Sequence, residues 1–241
     1  MFPDPSEWRR CSRPRKHSLC DGQTVIGFDV GQIHMGRCVL KFNSARRPPI
    51  SIVSWRMANL GTGTVALSAT ALVTRVKASP EEWTADYAVI EQQDRVNTKM
   101  IAMSHALQVC LMFNGVDDVS FASSACKFAV FRKMPGLDGT LIKGEPKSLS
   151  HAKRKKIRKQ NSIDVVKAVL GELPYEEVAE FIHLLADTPA DQRDDLADAF
   201  VYALAFIYKN EPAPEIVVVN NKKRKAHDHA GSNVAKRLVL L

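Results

Sequence analysis

The sequence predicts an α/β domain built on a mixed β-sheet, and three observations predict it. Residues 24–30 and 36–42 are two β-rich runs joined by the short turn sequence GQIHMG, and a third run follows at 49–57. Further strand-like runs at 87–93 and 118–123 alternate with segments in which apolar residues recur at helical spacing. From residue 150 to 210 the pattern is helical throughout. Three antiparallel strands, then alternating helix and strand, then helices, is the order of a mixed sheet covered by helices.

Each element carries its own signals. GTGTVALSATALVTRVKAS predicts a helix after a Gly/Thr turn that ends before Pro80. YAVIEQQ is a short buried strand that stops at polar residues. NTKMIAMSHALQVCLMFNG predicts a helix with Asn97 as N-cap and Gly115 at its end. DVSFAS is the fifth strand, and SACKFAVF begins another helix. Residues 133–150 hold glycines and prolines without periodicity and read as a loop. SHAKRKKIRKQNSIDVVKAVLGEL starts basic and becomes amphipathic, PYEEVAEFIHLLAD is a more acidic helix, and TPADQRDDLADAFVYALAFIYKN is a helix with a proline near its start.

The 241 residues suffice for one full-sized domain, here assigned to 23–210 between a basic N-terminal tail, 1–22, and a basic C-terminal tail, 211–241. The start of the sequence is charged, without an apolar signal segment, and no stretch approaches the length of a membrane span. The five cysteines are scattered with no CxxC pair, which argues against a zinc site or disulfide framework and for an intracellular, reduced protein. The net charge of +8 resides in the tails: residues 1–20 hold five Lys/Arg against two acids, and 221–241 hold six against one. The span 21–220 balances at 23 against 23. Within it the charges segregate, with eight basic residues and one acid from Lys143 to Lys159, then ten acids and two basic residues from Asp164 to Asp198. That division suits a polyanion on one region and metal ions in part of the other; two solvated helix faces are the plainer alternative.

Acids stand in apolar surroundings at three places. Asp29 lies inside TVIGFDVGQIHMGRCVLKF, between Gly27 and Gly31. Glu91 directly follows YAVI. Asp194, Asp195 and Asp198 open an apolar helix; the last two are three residues apart and share a face. A turn cap, a strand end and favourable helix N-terminal charges explain each acid singly. Taken together they fit worse, because Asp198 lies a full turn into the helix. Oxygen ligands without a nearby His/Cys cluster suit Mg²⁺ or Mn²⁺. Two such ions clamp the attacking and leaving oxygens of a phosphodiester, and the basic run KRKKIRK would bring the phosphate.

VIGFDVGQIHMGRCVL, YAVIEQQ and DDLADAF, in that order, resemble the ribonuclease-H-like superfamily, and within it the Holliday-junction resolvases of the RuvC type, particularly their poxvirus-like and large-DNA-virus branch. The resemblance spans about residues 24–209. It implies a ribonuclease-H-like fold with a mixed five-stranded sheet, three antiparallel strands then two parallel. It implies a Mg²⁺-dependent endonuclease, with two ions per site and Mn²⁺ able to substitute, that nicks four-way DNA junctions in symmetric pairs. By position, the metal-binding and catalytic residues would be Asp29, Glu91, Asp195 and Asp198, with Asp194 able to take the place of Asp195. Lys153, Arg154, Lys155, Lys156, Arg158 and Lys159 match the family's DNA-contacting basic segment. The helix at 97–113 matches the one that packs two subunits together, with Ile101, Leu107 and Leu111 facing either a partner or the monomer's own core. The branch implies a viral protein in host cytoplasm or nucleus, where KKRK in the C-terminal tail would be a nuclear-import signal or simply a basic tail.

Two other classes compete. An RNA-cleaving ribonuclease H or RuvC-like RNA-processing nuclease shares the opening motif; ribonucleases H close the fourth strand with Asp, whereas Glu91 stands here. An actin-like ATP-binding protein also begins Asp-x-Gly on a strand, but needs two such domains and a second glycine-rich loop, which is not visible after residue 115.

Overall fold

The computed structural model describes residues 18–61, 63–127, 130 and 150–212. The strands are β1 (Thr24–Val30), β2 (His34–Phe42), β3 (Ile50–Asn59), β4 (Tyr87–Glu91) and β5 (Asp118–Ala122). They form one sheet in the order β3-β2-β1-β4-β5. β1, β2 and β3 pair antiparallel, while β4 runs parallel to β1 and β5 parallel to β4. This is the expected mixed sheet. β2 starts at His34, two residues earlier than expected, because His34 and Met35 still pair with Asn59 and Ala58.

The helices are α1 (Val65–Ala78), α2 (Thr98–Phe113), α3 (His151–Glu172), α4 (Tyr175–Asp187) and α5 (Arg193–Asn210). Side chains start the first three: Asn97, the cap the sequence predicts, and also Thr64 and Ser150 each accept a backbone N–H of the first turn. No helix among the described residues is long and apolar enough to cross a membrane.

Pleating divides the core in two. Ile26, Phe28, Met35 and Ile90 pack with Leu72 of α1 and Met103, Leu107 and Leu111 of α2. On the other face Val25, Cys38, Leu40 and Val89 pack with Val165 of α3, Phe181 of α4 and Phe200 of α5. Trp55 of β3 locks α5 to the sheet by donating its indole N–H to the Leu196 carbonyl at 2.8 Å. Leu107 and Leu111 are therefore core residues of the monomer, not a partner-facing surface. Leu19, assigned to the N-terminal tail, is buried too, and its N–H bonds the Asn210 carbonyl at 3.0 Å. The expected loop at 133–150, all but its last residue, and most of both tails, with KKRK, lie outside the described residues, as does most of the SACKFAVF helix after Lys127.

Candidate active site

The site begins with two glycines. Val25, Gly27 and Asp29 alternate onto the sheet face that carries α5. A Cβ on Gly27 would lie 2.3 Å from the Ala199 carbonyl oxygen and 2.7 Å from the Ala203 nitrogen. On β2, a Cβ on Gly36 would lie 2.1 Å from the Asp195 carbonyl oxygen. The backbone of α5 thus rests directly on β1 and β2. Asp29 is the β1 partner of Gly36, so the close approach occurs where the acids meet. Gly31 serves the adjoining turn, since a Cβ there would lie 2.1 Å from the His34 carbonyl oxygen.

Strand β4 lies beside β1 and ends at Glu91, on the same face as Val89. Glu91 is held at both oxygens: Tyr202 of α5 donates its hydroxyl to Oε1 at 2.7 Å, and Gln93 donates Nε2–H to Oε2 at 3.0 Å. The Asp29 carboxyl also lies within hydrogen-bond reach of Glu91. Burial, then the charges of Glu91 and Asp198, push the Asp29 carboxyl well above the usual range. Burial works upward on Glu91 as well, but the hydrogen bond with Asp29, the charge of Lys127 and the bonds from Tyr202 and Gln93 outweigh it, and its net direction is down. The two half-buried carboxyls thus move in opposite directions, Asp29 up and Glu91 down.

Asp198 stands one helical turn before Tyr202 and receives Lys127, with Nζ 2.5 Å from Oδ2 and both side chains largely buried. The ammonium also lies 4.6 Å from the centre of the Tyr202 ring. Burial would strip its proton, but Asp198, then Asp29 and Glu91, hold it on and move its pKa up. Asp198 is itself shifted upward, mainly by burial, with Lys127 and Ser162 opposing. Its Oδ1 is buried and has no hydrogen-bond partner among the described residues. Asp195, less buried, is pushed up to about 6 by burial and by Asp194. Asp194 is buried and pairs with Lys159 of α3.

The structure thus brings Asp29, Glu91 and Asp198 into direct mutual influence, with Asp195 beside them and Asp194 turned to Lys159. Lys153, Lys156 and Arg158 are exposed on the first turns of α3, while Lys159 is engaged at the site. The side chains of Arg154 and Lys155 lie outside the described residues. Lys127, Tyr202 and Gln93 escaped sequence reasoning. Tyr202 carried a signal, being four residues after Asp198; Lys127 carried only that of a lone cation in an apolar run.

No cluster of three or more Asp, Glu, His or Cys side chains among the described residues forms a ready-made coordination shell. Instead, two lysine ammonium groups stand against Asp198 and Asp194. The residues nevertheless fit a hard divalent cation. All the acidic donors are oxygens, one buried carboxylate oxygen lacks a partner, and cations already occupy the neighbouring space.

No protein-family model matches this sequence, and no curated protein sequence matches it. Solved structures do. The yeast mitochondrial Holliday junction resolvase Ydc2 superposes with a TM-score of 0.53 at 13% identity, over 87% of each chain. The fold is ribonuclease-H-like. RuvC of Thermus thermophilus in complex with a Holliday junction substrate is similar at 15% identity and a TM-score of 0.49, covering 77% of this chain and 95% of that one. Fowlpox virus resolvase, in complex with substrate Holliday junction DNA, is similar at 14% identity and a TM-score of 0.46, over 77% and 97%.

Proposed function

We propose that the protein is a Mg²⁺-dependent, structure-selective DNA endonuclease that resolves four-way junctions as a homodimer. The observation that carries this reading is the convergence of Asp29, Glu91 and Asp198 from two central strands and one helix onto one patch, at the position the resemblance assigns to catalytic acids. The fold, shared with the Ydc2 resolvase, supports it.

Asp29, Glu91, Asp195 and Asp198 would hold two Mg²⁺ ions, for which Mn²⁺ would substitute. When bound, these ions supply the Lewis acidity that activates water and stabilises the departing 3′ oxygen. The chain's residues do the rest. Tyr202 and Gln93 fix both oxygens of Glu91, so that its orientation is set before substrate arrives. Gly27 and Gly36 hold Asp195 and Asp198 at the strand ends. Lys127 balances the carboxylate charge inside the patch. Lys153, Lys156 and Arg158, with Arg154 and Lys155 of the same run, would bind the phosphate backbone, and affinity would fall steeply with salt. The homodimer is supported by an apolar stripe on α2, where Val109, Met112 and Phe113 are exposed at 37%, 44% and 88%. Two-fold symmetry would set one site on each of two opposed strands. The flanking tails, 1–22 and 211–241, would add loose backbone contact through their charge.

The test is incubation with a synthetic four-way junction, a matched duplex and an RNA/DNA hybrid, each with Mg²⁺ or EDTA. Paired symmetric nicks in the junction alone, abolished by Asp29→Asn and by Glu91→Gln with junction binding retained, are expected. Cleavage of the hybrid in preference to the junction would transfer the protein to the RNA-cleaving class. Undiminished cutting by either variant would remove that residue from the site.

A further inference from the structure

On the sheet face opposite the carboxylates lies a cavity of about 310 Å³, lined by Arg37, Arg56, Arg75, Ser79 and Glu82, with Trp83 in its wall. That volume is at the lower end of the range for small-ligand sites, about 300–1,000 Å³. Three guanidinium groups meet one carboxylate.

Arg37 forms the floor. It projects from β2, its side chain is 3% exposed, and its guanidinium lies 5.0 Å from the centre of the Trp83 ring. Both terminal nitrogens donate to Glu82, one to the backbone carbonyl and one to Oε2 at 2.7 Å. Glu82 is thereby committed to Arg37. Arg56 is the direct cross-strand partner of Arg37, so two like charges face each other across the β2–β3 ladder. That juxtaposition is destabilising in a sheet. The charge of Arg56 adds to burial in drawing the Arg37 pKa down. Arg75 reaches the cavity from the last turn of α1, and Ser79 follows that helix. Arg56 and Arg75 are exposed, and neither makes an ion pair among the described residues. Among the described residues two positive charges are therefore left without a counter-charge beside the apolar walls of Met57, Ala58 and Ala78, which weaken screening.

We infer that this cavity is a phosphate-binding site, in which Arg56 and Arg75 fork onto a phosphate group over the fixed Arg37–Glu82–Trp83 floor. Arginine forks match phosphate oxygens bidentately, and an anion held between Arg37 and Arg56 turns their repulsion into attraction. The phosphate belongs either to a nucleic-acid backbone or to a free phosphate or nucleotide. The inference is independent of the endonuclease reading, since the cavity shares no residue with the carboxylate patch.

The experiment uses the full chain, an Arg56→Gln/Arg75→Gln double variant, and a Lys41→Gln/Lys77→Gln double variant that removes the same charge elsewhere on the surface. Calorimetric titration with inorganic phosphate is run beside duplex-binding measurements over a range of salt. If the ligand is a free phosphate, the wild type and the lysine variant bind phosphate saturably and the arginine variant binds at least tenfold more weakly. If it is a strand, phosphate binds none of them. The arginine variant alone then loses at least tenfold in duplex affinity, with a log–log salt slope shallower by about 1–2. Equal phosphate and duplex binding by all three proteins overturns the inference. So does an arginine variant whose duplex affinity falls with the salt slope unchanged, or a lysine variant that loses as much as the arginine variant.

Discussion

Replacing Gly27 with alanine tests the arrangement on which the acidic site rests. The added Cβ would be 2.3 Å from the Ala199 carbonyl oxygen and 2.7 Å from the Ala203 nitrogen, both backbone atoms of α5. An ordinary non-bonded carbon contact is about 3.5 Å, so the helix must recede by roughly 1 Å. Neither atom can rotate away as the tip of a flexible side chain would. Overpacking of this kind costs roughly 1–3 kcal/mol, which for a domain of this size lowers Tm by about 2–4 °C per kcal/mol. Displacing α5 also carries Asp198 and Tyr202 away from Asp29 and Glu91. A shift of about 1 Å in reacting groups is worth on the order of 100-fold in rate, so activity falls more than stability does. Gly171 supplies the control. It is helical, and a Cβ there meets nothing within 4 Å, so Gly171→Ala should stabilise by roughly 0.5–1 kcal/mol with activity unchanged. Urea denaturation of the three proteins, beside Mn²⁺ titration and junction nicking, makes the comparison. A Gly27→Ala protein within about 0.5 kcal/mol of wild type, with normal Mn²⁺ affinity, would refute the close-approach argument.

Three further outcomes are expected. Tyr202→Phe removes only the hydroxyl that Glu91 accepts, so Mn²⁺ affinity measured by calorimetry should fall about 10–100-fold with the fold retained. Lys127→Met leaves Asp198 without its partner; the metal-free protein should lose about 3–5 kcal/mol near neutral pH, and Mg²⁺ should restore much of it, as read by denaturation with and without EDTA. Asp195, raised to about 6 from 3.8, holds its proton more tightly folded than unfolded, as do Asp29 and Asp198. The metal-free protein should therefore lose stability as pH rises from about 4 through 6, whereas Mn²⁺ affinity should rise across the same window; a Tm that climbs through it in EDTA contradicts the carboxylate cluster.

The acids were legible because a carboxylate in an apolar run is conspicuous, and because strands and helices have different periods. Period-2 alternation puts Asp29 with Gly27 and Glu91 with Val89, and the three-residue spacing of Asp195 and Asp198 gives them one helix face. Which side of α2 is exposed was not legible. Met103, Leu107, Val109, Leu111, Met112 and Phe113 surround that helix with apolar residues, so spacing does not separate the buried Leu107 and Leu111 from the exposed Val109, Met112 and Phe113. Lys159 was one of six cations in a run, and only the packing of α3 against α5 selects it for Asp194. Lys127 becomes meaningful only when the segment after β5 brings it to Asp198, a long-range contact that no local pattern encodes. Gly36 looked like a turn glycine at the end of GQIHMG; its use is to admit the Asp195 carbonyl.

The two charged sites are separated by the pleat of a single strand. On β2, Gly36 and Cys38 face α5, while Arg37 between them faces Trp83. A register slip of one residue would exchange these faces. It would drive the Arg37 guanidinium into the backbone of α5 at a point where even a methyl group does not fit, and would take it from Glu82. The same slip would set Asp29 opposite a residue with a side chain and lift the helix from the strand ends. Correct pairing is thus favoured by both faces at once, by close backbone contact on the acidic side and by a satisfied buried cation on the basic side. A domain whose described core carries acids and an arginine in apolar surroundings needs this redundancy, because a misregistered sheet would leave opposite charges buried on the wrong sides, each without its partner.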